Sequence, residues 1–365
     1  MSVMEKITAE DYKLFDYIRE YDNQPLILYG AGIGAKRILY FLQSHQILPK
    51  YIVVDRKYFH PNMKIETYEV KPVEDIFEHA VHEPVDVIGA FLGFDIGHLS
   101  KYQSKIRKIL KLDDEIFYGY MEKGDLPCVP RKFYEIHAER IEAFYHDLQD
   151  DFSRKTLISY LNQRISCDMN FSTGMIQENQ YFDAAIINFG QQKKFIDCGS
   201  YNGSDTKRFF SLTRSDTFSY VFEADEKNMS IVKRNLKSYE SRIQYVNKGV
   251  WNCNESIFFD SQHNSSSAIA EDGNIKIECI SLDQLMETEK YITFIKMDIE
   301  GAELRGLDGA KNLISCCHPV LAICVYHRPK DIFQIYEKIK EIDASYRFYL
   351  RRYHPFFIET VLYAI

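Results

Sequence analysis

The sequence lacks the marks of several large protein classes. No apolar run approaches the roughly 20 residues that a helical membrane span requires. Residues Met1 to Asp11 are polar and have no apolar core of a secretory signal. Basic residues are outnumbered, 45 Lys and Arg against 53 Asp and Glu, for a net charge of −8. A general nucleic-acid binder carries a basic face, so none is expected here beyond a local patch at Arg351-Arg352. Eight cysteines are present, but no C-x-x-C pair occurs, and Cys316 and Cys317 are adjacent. Neither a zinc pattern nor a disulfide framework emerges. These absences predict a cytoplasmic protein with reduced thiols, no transmembrane segment and no nucleic-acid partner.

What is present suffices for packed interiors. Apolar residues make up 45% of the 365 positions, and that length suits about two domains. Aromatics reach 14%, which reads as aromatic-rich cores rather than a carbohydrate-stacking surface.

Two glycine turns organise the chain. The first follows a strand, Leu26-Ile27-Leu28-Tyr29, and reads Gly30-Ala31-Gly32-Ile33-Gly34-Ala35. A helix with Ile38, Leu39 and Leu42 on one face follows, then a strand, Tyr51-Ile52-Val53-Val54, ending at Asp55. This is a dinucleotide-type order of strand, turn, helix, strand and acid. Thr8 to Asp11 fits a capping box ahead of Leu14, Phe15 and Ile18. A further strand over Asp86 to Phe91 completes a small Rossmann-like α/β domain, residues 1–128. Gly30, Gly32 and Asp55 are candidates for a nucleotide or nucleotide-sugar. The alternative is a relic fold whose glycines serve helix-on-strand packing.

Residues 129–190 read as a helical linker, with Phe144, Leu148, Leu157, Ile158 and Leu161 at helical spacing. Gln180-Tyr181-Phe182-Asp183 closes it. That cluster either folds over a ligand or ends a helix in the core.

The second turn is Asp197-Cys198-Gly199-Ser200-Tyr201-Asn202-Gly203, after the apolar pair Phe195-Ile196 and before a helix starting near Thr206. Glycine there lets the backbone approach a nucleoside closely. A strand over Ser219 to Phe222 ends in Glu223, an acid placed for a ribose diol. Strands follow at 243–246, 257–259 and 275–277, with a polar loop over 261–273 that contains Ser265-Ser266-Ser267. Phe294-Ile295-Lys296-Met297 runs into Asp298-Ile299-Glu300-Gly301-Ala302-Glu303. Val320 to Val325 runs into Tyr326-His327-Arg328-Pro329. The stretches 347–351 and 359–363 read as an antiparallel closing pair. Ligands of open α/β sheets bind outside the carboxyl ends of the strands, so Asp197, Glu223 and Asp298 face one crevice.

Residues 191–365 resemble the FkbM-type methyltransferase family, a bacterial type with an extra N-terminal Rossmann-like domain. The resemblance is carried by Phe195 to Gly199, Phe222-Glu223-Ala224-Asp225, Ser281-Leu282-Asp283-Gln284-Leu285 and Ile295 to Glu303. It implies a class I methyltransferase sheet with an antiparallel C-terminal pair, and S-adenosylmethionine as cofactor. It also implies O-methylation of a hydroxyl on a sugar or glycan precursor. Members often read Phe-Glu-Pro where Phe222-Glu223-Ala224 stands here. Many carry a Glu in the strand near Cys324, which directs interest to His327.

By this resemblance the cofactor-binding residues are Asp197, Gly199, Tyr201, Gly203, Glu223, Gly249 and Val250. Asp298 and His327 are the catalytic candidates. Asp298 otherwise caps the next helix, and His327 otherwise sits satisfied in the turn before Pro329. Glu300, Tyr181 and Tyr326 are candidates for the acceptor side. No spacing demands a metal, and none is predicted. Oligomeric state stays open, with a homo-oligomer admitted. An NAD-using oxidoreductase or epimerase, or a non-catalytic scaffold, is the alternative.

Overall fold

The computed structural model describes residues 2–90, 97–112, 128–259, 275–287 and 291–365. The expected polar loop at 261–273 and the Phe91 end of the predicted strand lie outside the described residues. The chain divides into two compact units. One comprises Ile7–Ile136 and Leu161–Phe171, the other Met1–Lys6, His137–Tyr160 and Ser172–Ile365.

In the first unit, strands β1 (Leu26–Tyr29), β2 (Tyr51–Val54), β3 (Lys64–Ile65), β4 (Tyr68–Pro72), β5 (Val85–Gly89) and β6 (Ile106–Lys111) form one sheet. Their order is β3-β4-β2-β1-β5-β6, parallel throughout except for the β3–β4 pair. The central strands read as continuous apolar runs because a parallel sheet is covered on both faces. Asp86 is the exception in β5. It is fully buried and accepts hydrogen bonds from Arg107 Nη2 at 2.6 Å, Arg107 Nε at 2.8 Å and Tyr17 Oη at 3.0 Å. The expected capping box does not form. The amides of Thr8 and Ala9 both donate to Asn162 Oδ1 at 2.8 Å, and Asp11 accepts from the Arg131 amide. The helix starts only at Lys13.

In the second unit, β7 (Lys194–Cys198), β8 (Phe218–Phe222), β9 (Ile243–Val246), β10 (Gly249–Val250), β11 (Ser256–Phe259), β12 (Ile275–Ile280), β13 (Phe294–Met297), β14 (Val320–Cys324), β15 (Phe348–Arg352) and β16 (Thr360–Ala364) follow in order. Seven of them form a sheet ordered β15-β16-β14-β13-β7-β8-β9. Strands β14, β13, β7, β8 and β9 run parallel. Strand β16 is antiparallel to both of its neighbours. The other three make a small sheet, β10-β12-β11.

The aromatics fill the core. Phe195 stacks on Phe209 with centroids 4.8 Å apart and lies 4.9 Å from Phe294. Such pairs add about 0.5–1.5 kcal/mol beyond their area. The expected basic patch is not a surface feature. Arg351 and Arg352 are buried, Arg351 against Asp150 at 2.7 Å and Asp183 at 3.1 Å, and Arg352 on Ser159 Oγ at 3.0 Å. Parallel alignment brings the ends of β7, β8, β13 and β14 to one edge of the sheet. Gly199, Glu223, Asp298 and Val325 are the next residues there.

Candidate active site

The amides of Gly199 and Ser200 both donate to the Phe222 carbonyl, at 3.0 and 3.1 Å, which locks the second glycine turn onto β8. Gly199 has φ +78°, and a Cβ there would lie 1.8 Å from the Asp298 carbonyl oxygen. Only glycine lets these two strand ends meet. Gly203, at φ +83°, leads into the helix Ser204–Leu212. Tyr201 is left-handed too, at φ +54°, and its side chain is exposed at the tip of the turn.

The Tyr201 amide donates to Glu223 Oε2 at 2.8 Å and the Asp225 amide to Oε1 at 2.9 Å. Burial raises the Glu223 pKa above the ordinary carboxylate range, and these two amides oppose the shift. Asn247 Nδ2 holds the Glu223 carbonyl at 2.8 Å. Gly249 stands beside Ala224, with room at its Cβ limited by Cys279 Sγ at 3.0 Å. Val250 turns inward instead, against Gly306.

Asp197 is fully buried behind the turn. Its Oδ2 accepts from Thr206 Oγ1 at 2.8 Å and Ser200 Oγ at 2.9 Å, and Lys296 Nζ lies 3.2 Å from Oδ1. Its partners are internal, so it reaches a ligand only through the turn it shapes. Sequence reasoning missed Lys296, although a lone lysine in a buried strand demands a partner. Its ammonium donates to the Gly199 carbonyl at 2.7 Å and pairs with Asp205 at 3.2 Å. Burial disfavours that charge, but Asp197, Asp205 and Asp298 outweigh it and raise the pKa well above the usual lysine value. Asp205, pushed up chiefly by burial, keeps its side chain 25% exposed.

The acceptor-side candidates form a second cluster. Tyr181 Oη donates to Asp298 Oδ2 at 2.8 Å and lies 3.3 Å from Cys324 Sγ. Tyr326 Oη donates to Asp298 Oδ1 at 3.3 Å. His327 Nε2 lies 3.4 Å from Asp298 Oδ1 and 3.5 Å from Glu300 Oε2, and Nδ1 lies 3.2 Å from Glu303 Oε1. Burial favours a neutral ring, yet Glu303, Glu300 and Asp298 overcome it and raise the His327 pKa well above the ordinary value. Burial raises Asp298 as well, but His327, Lys296 and the Tyr181 hydroxyl hold it below the usual carboxylate range. Tyr181, Glu300 and Glu359 all have left-handed backbones, at φ +62°, +57° and +57°. Such strain collects at functional sites. Glu359, also missed, is hydrogen-bonded by Gln180 and pushed up to about 7 by burial and Asp298.

The structure therefore brings Gly199, Tyr201, Gly203, Glu223 and Gly249 to one part of the crevice. Tyr181, Asp298, Glu300, Tyr326 and His327 form the other, with Lys296 between the two groups. In the other unit, Gly30 has φ +127° and Tyr29 Oη donates to Asp55 Oδ1 at 2.6 Å. Among the described residues a Cβ on Gly32 would meet nothing within 4 Å, so their packing does not require that glycine.

Six strands that run one way, with the antiparallel β16 inserted between β14 and the edge strand β15, make the class I methyltransferase sheet. Residues 197–353 match the family model described as the Methyltransferase FkbM domain, and this segment is an FkbM methyltransferase domain. The whole chain is similar in fold to a methyltransferase FkbM from Methylobacillus flagellatus KT, with TM-score 0.69 at 20% identity, covering 99% of this chain and 95% of that one. Fibrillarin from Aeropyrum pernix, with natively bound S-adenosyl-L-methionine, gives TM-score 0.34 at 9% identity over 49% of this chain and 69% of its own. An O-methyltransferase from Bacillus cereus in complex with SAH gives 0.32 at 12% identity over 47% and 74%. No curated protein matches the sequence.

The domain is an S-adenosylmethionine-dependent methyltransferase, and the residues present fit that cofactor. Each Glu223 oxygen takes one amide and keeps a lone pair for a ribose hydroxyl. Asp205 offers a partly open carboxylate. An acid-rich crevice suits a sulfonium cation.

Proposed function

We propose that this methyltransferase methylates oxygen, and that its acceptor is a hydroxyl of a sugar or glycan precursor. The observation that supports an oxygen acceptor is the Asp298 cluster, where carboxylates, tyrosines and an imidazole converge next to the glycine turn. Those groups match a hydroxyl, which both donates and accepts. The sugar rests on the family resemblance.

When bound, the cofactor supplies a methyl group on a sulfonium whose bonding electrons stay with sulfur as the methyl leaves. The chain's work is alignment and deprotonation. Gly199 and Gly203 shape the turn, Glu223 holds the ribose and Gly249 borders the adenine. Asp205 takes the methionine ammonium, while Asp197 and Lys296 keep the turn rigid from behind. Tyr181 and Tyr326 fix the Asp298 carboxylate, which accepts the hydrogen bond of the acceptor hydroxyl and aims its oxygen. Glu300 borders the acceptor. With no cation bound, His327 faces Asp298 and Glu303 through its two ring nitrogens and supports the Asp298 charge.

For residues 1–128 we propose an accessory site for a nucleotide or nucleotide-sugar at Gly30, Gly32 and Asp55, supported by the open space at Gly32. Residues 129–190 act as a linker, and residues 191–365 carry the chemistry. We read the protein as cytoplasmic. Among the described residues no helix is long and apolar enough to cross a membrane.

Titration calorimetry with S-adenosylhomocysteine tests the reading. Glu223→Ala is expected to weaken binding about 10–100-fold, the value of a hydrogen bond to a charged group. Unchanged affinity in that variant would remove Glu223 from the ribose site. Absence of binding by the wild-type protein would remove the function.

A further inference from the structure

Asp298, Glu303 and His327 each offer a donor atom, and the three atoms lie within 4.8 Å of one another. They come from the end of β13, the start of the helix Glu303–Asp308 and the residues after β14. Only Asp298 and Glu303 are close in sequence, and with the distant His327 they match no metal motif by spacing. His327 presents Nδ1 to Glu303 Oε1 at 3.2 Å and Nε2 to Asp298 Oδ1 at 3.4 Å. One ion takes only one of these nitrogens, so the second carboxylate must close in toward the ~3 Å that separates adjacent ligands about 2.1 Å from an ion. Nitrogen and carboxylate donors together suit Mn²⁺ or Zn²⁺.

A second observation points to a ligand. The Glu303 side chain is fully buried, and its Oε1 accepts the amides of Ile299 at 2.9 Å and Gly301 at 3.3 Å. Among the described residues its Oε2 is buried without a hydrogen-bond partner. A buried carboxylate oxygen in that state carries a full desolvation cost, which a cation removes. The local charge agrees. Asp298, Glu300, Glu303, Asp331 and Glu359 crowd this end of the sheet, and Lys296 is already engaged by Asp197 and Asp205.

We propose that Asp298, Glu303 and His327 hold a divalent cation of mixed nitrogen–oxygen preference beside the glycine turn. Glu300, 3.5 Å from His327 Nε2 with its side chain 47% exposed, lies at the solvent side of this cage. The role of the ion rests on the oxygen-methylating reading above. With the ion bound, the acceptor hydroxyl coordinates it in place of its hydrogen bond to Asp298. The ion lowers the hydroxyl pKa, and the proton passes to the Glu300 carboxylate and on to solvent. The oxygen then forms the bond to the methyl carbon as the carbon–sulfur bond breaks, and the electron pair stays on sulfur.

The test is titration of the metal-stripped full chain with MnCl₂, with free Mn²⁺ read by electron paramagnetic resonance and Zn²⁺ added as competitor. One site per chain is expected, displaced by Zn²⁺ and weakened at least tenfold in both Glu303→Gln and Asp298→Asn. Binding of S-adenosylhomocysteine, followed by calorimetry, reports that each variant is folded. Wild-type protein that binds S-adenosylhomocysteine but neither metal ion overturns the proposal and leaves an ion-pair cluster. Two folded variants that bind Mn²⁺ like the wild type overturn it equally. Mn²⁺ binding by a protein that does not bind S-adenosylhomocysteine upholds the site and removes the methyltransferase role built on it.

Discussion

Lys296→Met removes the charge that joins the two halves of the crevice while keeping most of the side-chain volume. Lys296 Nζ sits 3.2 Å from both Asp197 Oδ1 and Asp205 Oδ2. At an effective dielectric constant of 20, each such pair is worth about 5 kcal/mol before desolvation. Desolvation takes back much of this, so the informative quantity is the cost of leaving the partners alone. Removing one member of a buried pair costs about 3–5 kcal/mol. For a unit of this size that is a fall in Tm of roughly 6–20 °C. The Gly199 carbonyl also loses a donor at 2.7 Å, so the turn loosens and S-adenosylhomocysteine binding weakens with stability. Thermal denaturation with and without S-adenosylhomocysteine reads both effects. The double variant Lys296→Met, Asp197→Asn separates charge from packing. Ser200 and Thr206 can still donate to the remaining oxygen, and replacing a whole buried pair is often near neutral. Most of the lost Tm is therefore expected to return. A single variant within about 1 kcal/mol of wild type, or a double variant no better than the single, would refute the argument.

Gly199→Ala is expected to cost more than about 3 kcal/mol and abolish S-adenosylhomocysteine binding, because a positive φ combines with a Cβ 1.8 Å from the Asp298 carbonyl. Gly32→Ala is the matched control; its φ is −84° and its Cβ meets open space, so a change within about 1 kcal/mol is expected. Equal Tm losses in the two variants would contradict this contrast. Away from the site, Asp343 is held down to about 2 by the Ser345 hydroxyl, the Ser345 amide and His318. Because its folded pKa is depressed, its stabilising contribution is present above the ordinary value near 3.8 and is lost as pH falls toward 2. Its side chain is 23% exposed, which reduces the expected worth to about 1–2 kcal/mol. Asp343→Asn should therefore lower Tm at pH 6, with the gap closing between pH 4 and 2; a gap constant with pH would remove the linkage.

Much of the architecture was legible in local patterns. Leu26–Tyr29, Tyr51–Val54 and Ile243–Val246 form strands over the predicted residues, because short apolar runs between turn signals have few other ways to be buried. Gly199 and Gly203 were readable because a left-handed turn selects glycine whatever surrounds it. The closing pair formed one residue later than expected, at Phe348–Arg352 and Thr360–Ala364. The Thr8 capping box failed because Asn162, more than 150 positions away, takes the amides of Thr8 and Ala9. The same limit governs the site. Residue type and position at strand ends pointed to Asp197, Glu223, Asp298 and His327, since those ends border the crevice in any sheet of this kind. What each carboxylate touches depended on which strands became neighbours. Pairing of β7 with β13 put Lys296 against Asp197 and turned that acid inward. Pairing of β13 with β14 set Asp298 and His327 together and raised the imidazole pKa. A side chain's type is local, but its charge state and partners are set by through-space distances of 3 to 4 Å, which only the folded chain determines.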